Sequence, residues 1–313
     1  MRKLNKRQQR IQKQRAEHPS SQSLATATVI TRHKNHVLIF SQEIGYLLCN
    51  LRQHVGEVVV GDTVHYSTQE SGENGLVHGI QPRHSLLKQE KKLIAANIDQ
   101  LFIVSAIEPD WSPLLIDSFL LVAELNHITP IVVLNKIDML DKTTPTHPLI
   151  NLYESLNYSV LTVSAHSPLN LDTMMASMQG KSNALVGLSG VGKSSLTNTL
   201  IPNLNQQTKT LTRAKLGSHT TSTSQLFYLE GGGNLIDSPG LREIKPAALD
   251  LQSIESAFRE FTPLLGQCQF HNCTHQHEPR CAILDALKEG KIATSRYQNF
   301  LYFMENFLQT KSG

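Results

Sequence analysis

The sequence predicts an α/β protein: a mainly parallel sheet covered by helices, preceded by a small all-β barrel and followed by a short, mostly helical unit. Three observations predict it. From about Leu24 to Arg83, five or six β-branched and aromatic runs succeed one another with turns and no convincing helix. From Asp99 onward, long apolar strands alternate with helical runs. Near the C-terminus, three cysteines and a histidine gather between residues 268 and 281.

Bulk properties leave room for this plan. The 313 residues can form two or three domains with at least one sizeable core. With 40% hydrophobic and 18% charged residues the composition is that of a soluble protein, and no apolar run approaches the ~20 residues that span a bilayer. The basic N-terminus lacks a following apolar segment, so a cytoplasmic protein without membrane partners is expected. Charge is uneven. Arg2, Lys3, Lys6, Arg7, Arg10, Lys13 and Arg15 against Glu17 put +6 on the first 18 residues of a chain whose total is +3, so the remainder carries −3. A basic arm on an acidic body points to an anionic partner, nucleic acid ahead of membrane.

After a polar linker from Pro19 to Gln22 come the barrel strands. They are expected at Ala27–Ile30, His36–Phe40, Gly45–Cys49, Glu57–Val60, Thr63–Tyr66 and, after a turn at 72–75, Leu76–Ile80. An OB-fold is the first expectation and an SH3-like barrel the rival, because strand count does not separate them. Cys49 reads as a small core residue.

In the middle of the chain, Asp99–Ala106 reads as a strand buried on both faces. Ser112 and Pro113 supply an N-cap and a first-turn proline for a helix reaching Asn126. Further strands are expected at Ile131–Leu134, Ser159–Val163, Asn183–Val186, Leu226–Leu229 and Asn234–Asp237. Ligand loops of such a sheet lie at the strands' carboxyl ends.

Four of those ends carry chemistry. Gly187-Leu188-Ser189-Gly190-Val191-Gly192-Lys193-Ser194 fits the phosphate-binding template G-x-x-x-x-G-K-[ST] between a strand and a helix. Its backbone N–H groups cradle phosphates, Lys193 adds a point charge, and Ser194 is the expected Mg²⁺ ligand, with Ser195 next in the helix that opens there. Asn135-Lys136-Ile137-Asp138 has the N-K-x-D form. A carboxylate at Asp138 can accept from guanine N1–H and N2–H₂, a donor pair adenine lacks on that side. Ser164-Ala165 would support the base from the next strand. Asp237-Ser238-Pro239-Gly240 has the D-x-x-G form, Asp237 reaching Mg²⁺ through water and the Gly240 N–H meeting the γ-phosphate. Together these features specify GTP with Mg²⁺.

Their order is permuted. In an ordinary GTPase the phosphate loop comes first, whereas here N-K-x-D and S-A precede it. Domain termini often lie close together, so such a connection is tolerable. The segment after Gly240 then leads straight into the C-terminal unit, so nucleotide state could pull on it.

Cys268-x₄-Cys273-x-His275-x₅-Cys281 offers three thiolates and an imidazole, the donor set of one closed, structural Zn²⁺ site. His271 and His277 are alternative ligands, expected instead to be exposed or to support the ligands from behind. Pro279 is expected to open a helix to Lys288. A second, from Ile292 to Gln309, carries Tyr297, Phe300, Leu301, Phe303, Met304 and Phe307 as a packing stripe.

With these residues assembled, the chain resembles the RsgA (YjeQ) family, circularly permuted GTPases that act on the small ribosomal subunit. The likeness runs through the basic arm, the barrel, Ala95-Ala96-Asn97-Ile98-Asp99, the permuted motifs and the Cys-Cys-His-Cys spacing. It implies a basic flexible arm over 1–22, an OB-fold barrel over 23–84, a permuted GTPase domain over 85–246 and a helical zinc domain over 247–313. It also implies a GTP hydrolase in late maturation of the 30S subunit, binding its rRNA and stimulated by it; a monomer is the separate expectation, with nothing in the sequence to fix oligomeric state. The family's switch segment is commonly Gly-Arg-His-Thr-Thr. Here it is Gly217-Ser218-His219-Thr220-Thr221, so the arginine is absent, while Thr220 or Thr221 would be the Mg²⁺-linked threonine. Leu241 stands where Ras-like enzymes carry a water-orienting glutamine. His219, or a group from the ribosome, is therefore expected to position the attacking water, unless His219 only holds the switch loop. A regulatory switch with a protein partner, and an RNA-binding module with a structural nucleotide, are the rival readings.

Overall fold

The computed structural model describes residues 24–33, 36–68, 74–89, 92–108, 112–140, 148–201, 224–242, 244, 246 and 249–308. The basic arm, residues 72–73 of the expected turn, and the switch segment with His219, Thr220 and Thr221 lie outside the described residues.

The barrel consists of β1 (Ala25–His33), β2 (His36–Ser41), β3 (Gly45–Leu51), β4 (Thr63–Thr68) and β5 (Gly75–Ile80). The order is β1-β2-β3-β5-β4, with β4 returning to β1 and β3 parallel to β5 at Cys49↔Gly75. That closed connectivity selects the OB-fold over the SH3-like alternative. Alternate residues of the strands fill its interior, among them Val29, Val37, Ile39, Val64, Val77 and Cys49.

Glu57–Val60 is not a strand. Side chains take most of its backbone groups, and only Val60 at its end bridges to a strand, at Ala95. Arg83 Nη2 donates to the Glu57 carbonyl at 2.7 Å, Arg32 Nη1 to the Val58 carbonyl at 2.7 Å, and the Val59 N–H to the Asp62 carboxylate at 2.8 Å. β-Propensity alone could not foresee that competition. A hairpin of β6 (Leu86–Gln89) and β7 (Lys92–Ala96) then leads out of the barrel. β7 leans back on it, the Ala96 N–H donating to the Val60 carbonyl at 3.0 Å.

The second sheet holds β8 (Gln100–Ala106), β9 (Thr129–Asn135), β10 (Ser159–Thr162), β11 (Ser182–Val186), β12 (Gln225–Tyr228) and β13 (Asn234–Asp237). They lie in the order β10-β9-β8-β11-β13-β12, all neighbours parallel except β12–β13. The carboxyl ends of β9, β10, β11 and β13 therefore share one rim, which collects the four motifs. Helices α1 (Pro113–Leu125), α2 (Pro148–Ser155), α3 (Leu171–Met178) and α4 (Lys193–Leu200) accompany these strands. α1 starts as expected, with the Ser112 hydroxyl accepting from the Leu115 N–H. The two sheets are joined: Thr31 of β1 pairs with Gln225 of β12.

After a four-residue helix α5 (Pro239–Arg242), the C-terminal unit comprises α6 (Leu251–Ser256), α7 (Ala282–Lys288) and α8 (Thr294–Phe307). α7 does not open at Pro279. Arg280 is left-handed (φ 54°), which breaks the helical path, and Cys281 becomes the N-cap. The aromatic stripe is packing, with Tyr297, Phe300, Phe303 and Met304 buried against Phe258 and Phe261. Leu121 of α1 belongs to this same core. No described helix is long and apolar enough to cross a membrane.

Candidate nucleotide site and metal centre

β11 ends at Val186, and the chain turns through Gly187–Gly192 into α4. Two glycines are required by space as well as backbone. A Cβ on Gly187 (φ 142°) would lie 2.1 Å from the Val104 carbonyl oxygen, and one on Gly192 (φ 93°) would lie 2.3 Å from Asn135 Nδ2. Lys193 Nζ donates to the Gly187 carbonyl at 2.8 Å and to that of Leu188, so the ammonium folds over the loop it closes. The loop bounds a cleft of about 500 Å³ into which Ser189, Lys193, Ser194 and Ser195 open. Val191 is buried and anchors the loop to the sheet core.

Asn135 ties the permuted motifs together. Fully buried at the end of β9, it donates from Nδ2 to the Val191 carbonyl of the phosphate loop at 2.8 Å and accepts the Ala165 N–H at 3.3 Å. Lys136 follows in the left-handed region (φ 61°), with Nζ on the Glu108 carbonyl at 2.7 Å. Asp138 is exposed in the next turn, one carboxylate oxygen held by the buried Ser164 hydroxyl. Fifty-six positions separate Asn135 from Val191 in sequence, yet here they touch.

Asp237 closes β13 on the same rim, and Ser238 behind it is buried. Gly240 and Leu241 lie in α5. Leu241 is fully buried, so it cannot meet a water at the cleft.

In the C-terminal unit the donor atoms of Cys268, Cys273, His275 and Cys281 all lie within 4.8 Å of one another. Cys268 Sγ and Cys281 Sγ are 3.9 Å apart, and His275 Nδ1 is 3.5 and 3.3 Å from them. A tetrahedron with metal–sulfur bonds of ~2.3 Å has edges of about 3.8 Å, so these residues fit around one metal ion. His271 and His277 are exposed and outside the cluster. His275 Nε2 faces Glu255 Oε1 of α6 at 2.9 Å, which leaves Nδ1 for the ion. Burial opposes the imidazolium, but the hydrogen bonds to Glu255 and Cys281 outweigh it and raise the His275 pKa. The Tyr297 hydroxyl donates to the His275 carbonyl at 2.8 Å, pinning the ligand's backbone in its left-handed geometry.

The RsgA GTPase family model matches residues 80–247. The chain belongs to the RsgA GTPase family. This RsgA-family chain is 40% identical over 296 residues to the small ribosomal subunit biogenesis GTPase RsgA of Histophilus somni (strain 129Pt), spanning 91% of this chain and 85% of that one. It is 38% identical over 295 residues to the RsgA of Haemophilus influenzae (strain PittEE), with the same coverage. Among solved structures, YjeQ from Thermotoga maritima superposes with a TM-score of 0.74 at 30% identity, covering 91% of this chain and 99% of that one. YloQ, a circularly permuted GTPase, superposes at 0.73 with 24% identity over 93% and 97%, a likeness of fold. The permuted motif order read from the sequence is thus that of the RsgA fold.

Motif reading did not reach Glu255, which lies twenty positions before its histidine, nor the hairpin β6–β7, whose Ile94 packs against Gly240. Neither belongs to a recurring spacing.

Proposed function

We propose that the chain is a cytoplasmic, monomeric GTP hydrolase acting in late maturation of the small (30S) ribosomal subunit, binding that subunit's RNA and stimulated by it. The observation that carries the GTP reading is the Asn135 side chain, joined to the phosphate loop on one side and to the Ala165 N–H on the other. Base recognition and phosphate recognition are thereby held in one rigid frame. The names of the 38–40% identical relatives support the ribosomal part.

In this reading Asp138, steadied by Ser164, accepts from guanine, while Asn135, Lys136 and Ala165 shape the base pocket. The N–H groups of residues 187–192 and the start of α4 receive the phosphates. Ser194, Asp237 through water, and Thr220 or Thr221 would hold Mg²⁺, which when bound would neutralise charge developing on the phosphate oxygens. The Gly240 N–H meets the γ-phosphate. Leu241 is sealed away, so the attacking water is oriented by His219 or by a ribosomal group, and intrinsic turnover is slow. Cys268, Cys273, His275 and Cys281 would hold one structural Zn²⁺, with no position left for a water. The units are assigned as arm 1–22, barrel 23–84, GTPase domain 85–246 and zinc domain 247–313, the arm contributing salt-sensitive contacts to RNA.

The test is GTP turnover by the purified protein, alone and with purified small subunits, at low and high salt. Strong stimulation that fades as salt rises is the expected result. Turnover indifferent to the subunit would replace the ribosomal partner with a protein one while keeping the GTP site.

A further inference from the structure

β1 begins in the barrel and ends in the GTPase sheet. Its first residues, Ala25–Thr28, pair with β4, and its register against β2 shifts between Val29 and Thr31. Such an irregularity re-aims the side chains beyond it. Past the shift, Thr31 pairs with Gln225 of β12, and its hydroxyl donates to the Ser224 carbonyl at 3.0 Å. The Ser224 hydroxyl in turn lies 2.6 Å from the hydroxyl of Ser238, the second residue of the D-x-x-G segment. Thr31 and Ser238 are both buried, 4% and 2% exposed, and Ser224 between them is half-buried.

A second contact reaches the same segment from the other side. A Cβ on Gly240 would lie 3.3 Å from each of Ile94 Cδ1, Cγ1 and Cγ2, so the Gly240 backbone rests directly on β7. β7 is itself fastened to the barrel, by the Ala96 N–H on the Val60 carbonyl and, just beyond it, by Asn97 Nδ2 on the Gly61 carbonyl at 2.9 Å. Gly61 donates to the Val29 carbonyl, immediately before the register shift. The barrel therefore holds D-x-x-G between two supports that start from one knuckle of its own backbone.

We infer that Thr31 is a positioning residue for GTP recognition: through Ser224 and Ser238 it sets the D-x-x-G segment where Asp237 and Gly240 meet the γ-phosphate side of the nucleotide. The inference rests on the roles given to Asp237 and Gly240 above. It makes the barrel part of the switch. A partner that bends β1 would alter the preference for GTP over GDP, and by reciprocity the γ-phosphate would alter affinity for that partner.

The experiment measures dissociation constants for GDP and for a non-hydrolysable GTP analogue with the full chain, its Thr31→Val and Thr31→Ser variants, and Ser224→Ala. Valine keeps the volume and removes the donor, whereas serine keeps the donor. Loss of one half-buried hydrogen bond should reduce the preference for the GTP analogue over GDP about 3–10-fold in Thr31→Val and Ser224→Ala and leave GDP binding within about twofold, and Thr31→Ser should restore the preference. An unchanged ratio in both variants overturns the inference, as does equal weakening of both nucleotides with a lowered melting temperature, the signature of packing alone. Should Thr31→Val not fold, Thr31→Ala takes its place, because Ser224→Ala keeps the carbonyl that Thr31 holds and tests only the link to Ser238. If the unaltered chain binds neither nucleotide, the GTP reading falls and this inference with it.

Discussion

Arg296 of α8 meets Asp117 of α1 at 2.6 Å, and neither side chain is more than 2% exposed. Asp117 also accepts from the Tyr153 hydroxyl at 2.9 Å and Asn299 Nδ2 at 2.6 Å, while Arg296 forks onto Glu260 at 2.7 and 3.1 Å and lies over the Phe258 ring. Burial alone would lower the Arg296 pKa, but Asp117 and Glu260 together raise it. The C-terminal unit is therefore locked to α1 of the GTPase domain as well as tethered beyond Gly240. By its connectivity after Gly240, nucleotide state could pull on this unit. Any such pull works against this buried ion pair.

Arg296→Met should cost about 3–5 kcal/mol, because it strands two buried carboxylates without their cation. The double variant Asp117→Asn with Arg296→Met should lose less than the sum of the single losses, since the two residues are coupled. Chemical denaturation of the full chain checks both, and additive losses would show that the pair does not act as a unit.

Asp138→Asn should abolish the preference for GTP. Each of the two hydrogen bonds to a charged acceptor is worth about 1.5–3 kcal/mol, so the loss of GTP affinity is large. The amide can instead donate to the extra ring oxygen of xanthosine triphosphate. Competition binding with the two nucleotides reads the switch, and unchanged GTP affinity would remove Asp138 from the base pocket.

A strong chelator should unfold the C-terminal unit and expose Cys268, Cys273 and Cys281 to a thiol reagent. Cys49 is the internal control. Burial pushes its thiol up to about 12, so it stays protonated and unreactive at neutral pH. With its folded pKa above the ordinary value of 9.0, its contribution to stability is complete below pH 9 and is lost as pH rises toward 12. Glu255→Gln should weaken metal affinity about 10–100-fold by loosening the His275 ring, measured by competition with a zinc indicator. Labelling of the three clustered cysteines without chelator would mean that no ion holds them.

How much the sequence disclosed follows from what makes a residue recognisable. Gly187, Gly192, Lys193, Asn135 and Asp138 stand at the spacings of nucleotide-binding templates, and Cys268, Cys273, His275 and Cys281 at a spacing that suits a metal ion, so both groups could be read in one dimension. Asp117 and Arg296 obey no such template. Asp117 stands in a mostly apolar helix, α1, and nothing in its spacing names a partner far along the chain. The failed strand at Glu57–Val60 has the same cause, since Arg32, Asp62 and Arg83 take its backbone groups and the choice is made by residues elsewhere. Thr31 was invisible for a further reason. Its reach depends on a register shift that composition does not encode.

The pairing of Thr31 with Gln225 also bears on solubility. A closed barrel has no free edge strand, and its attachment to β12 shields the end of the GTPase sheet, by backbone pairing at Gln225 and by the Phe40 ring against Tyr228, 4.8 Å between centroids. At the sheet's opposite side the outermost strand, β10, is four residues long, as β12 is. A chain lacking the barrel would bare β12 as a template for pairing with other copies of itself. In a protein whose GTPase motifs are reordered, the barrel thus also covers the β12 edge of the sheet at Gln225.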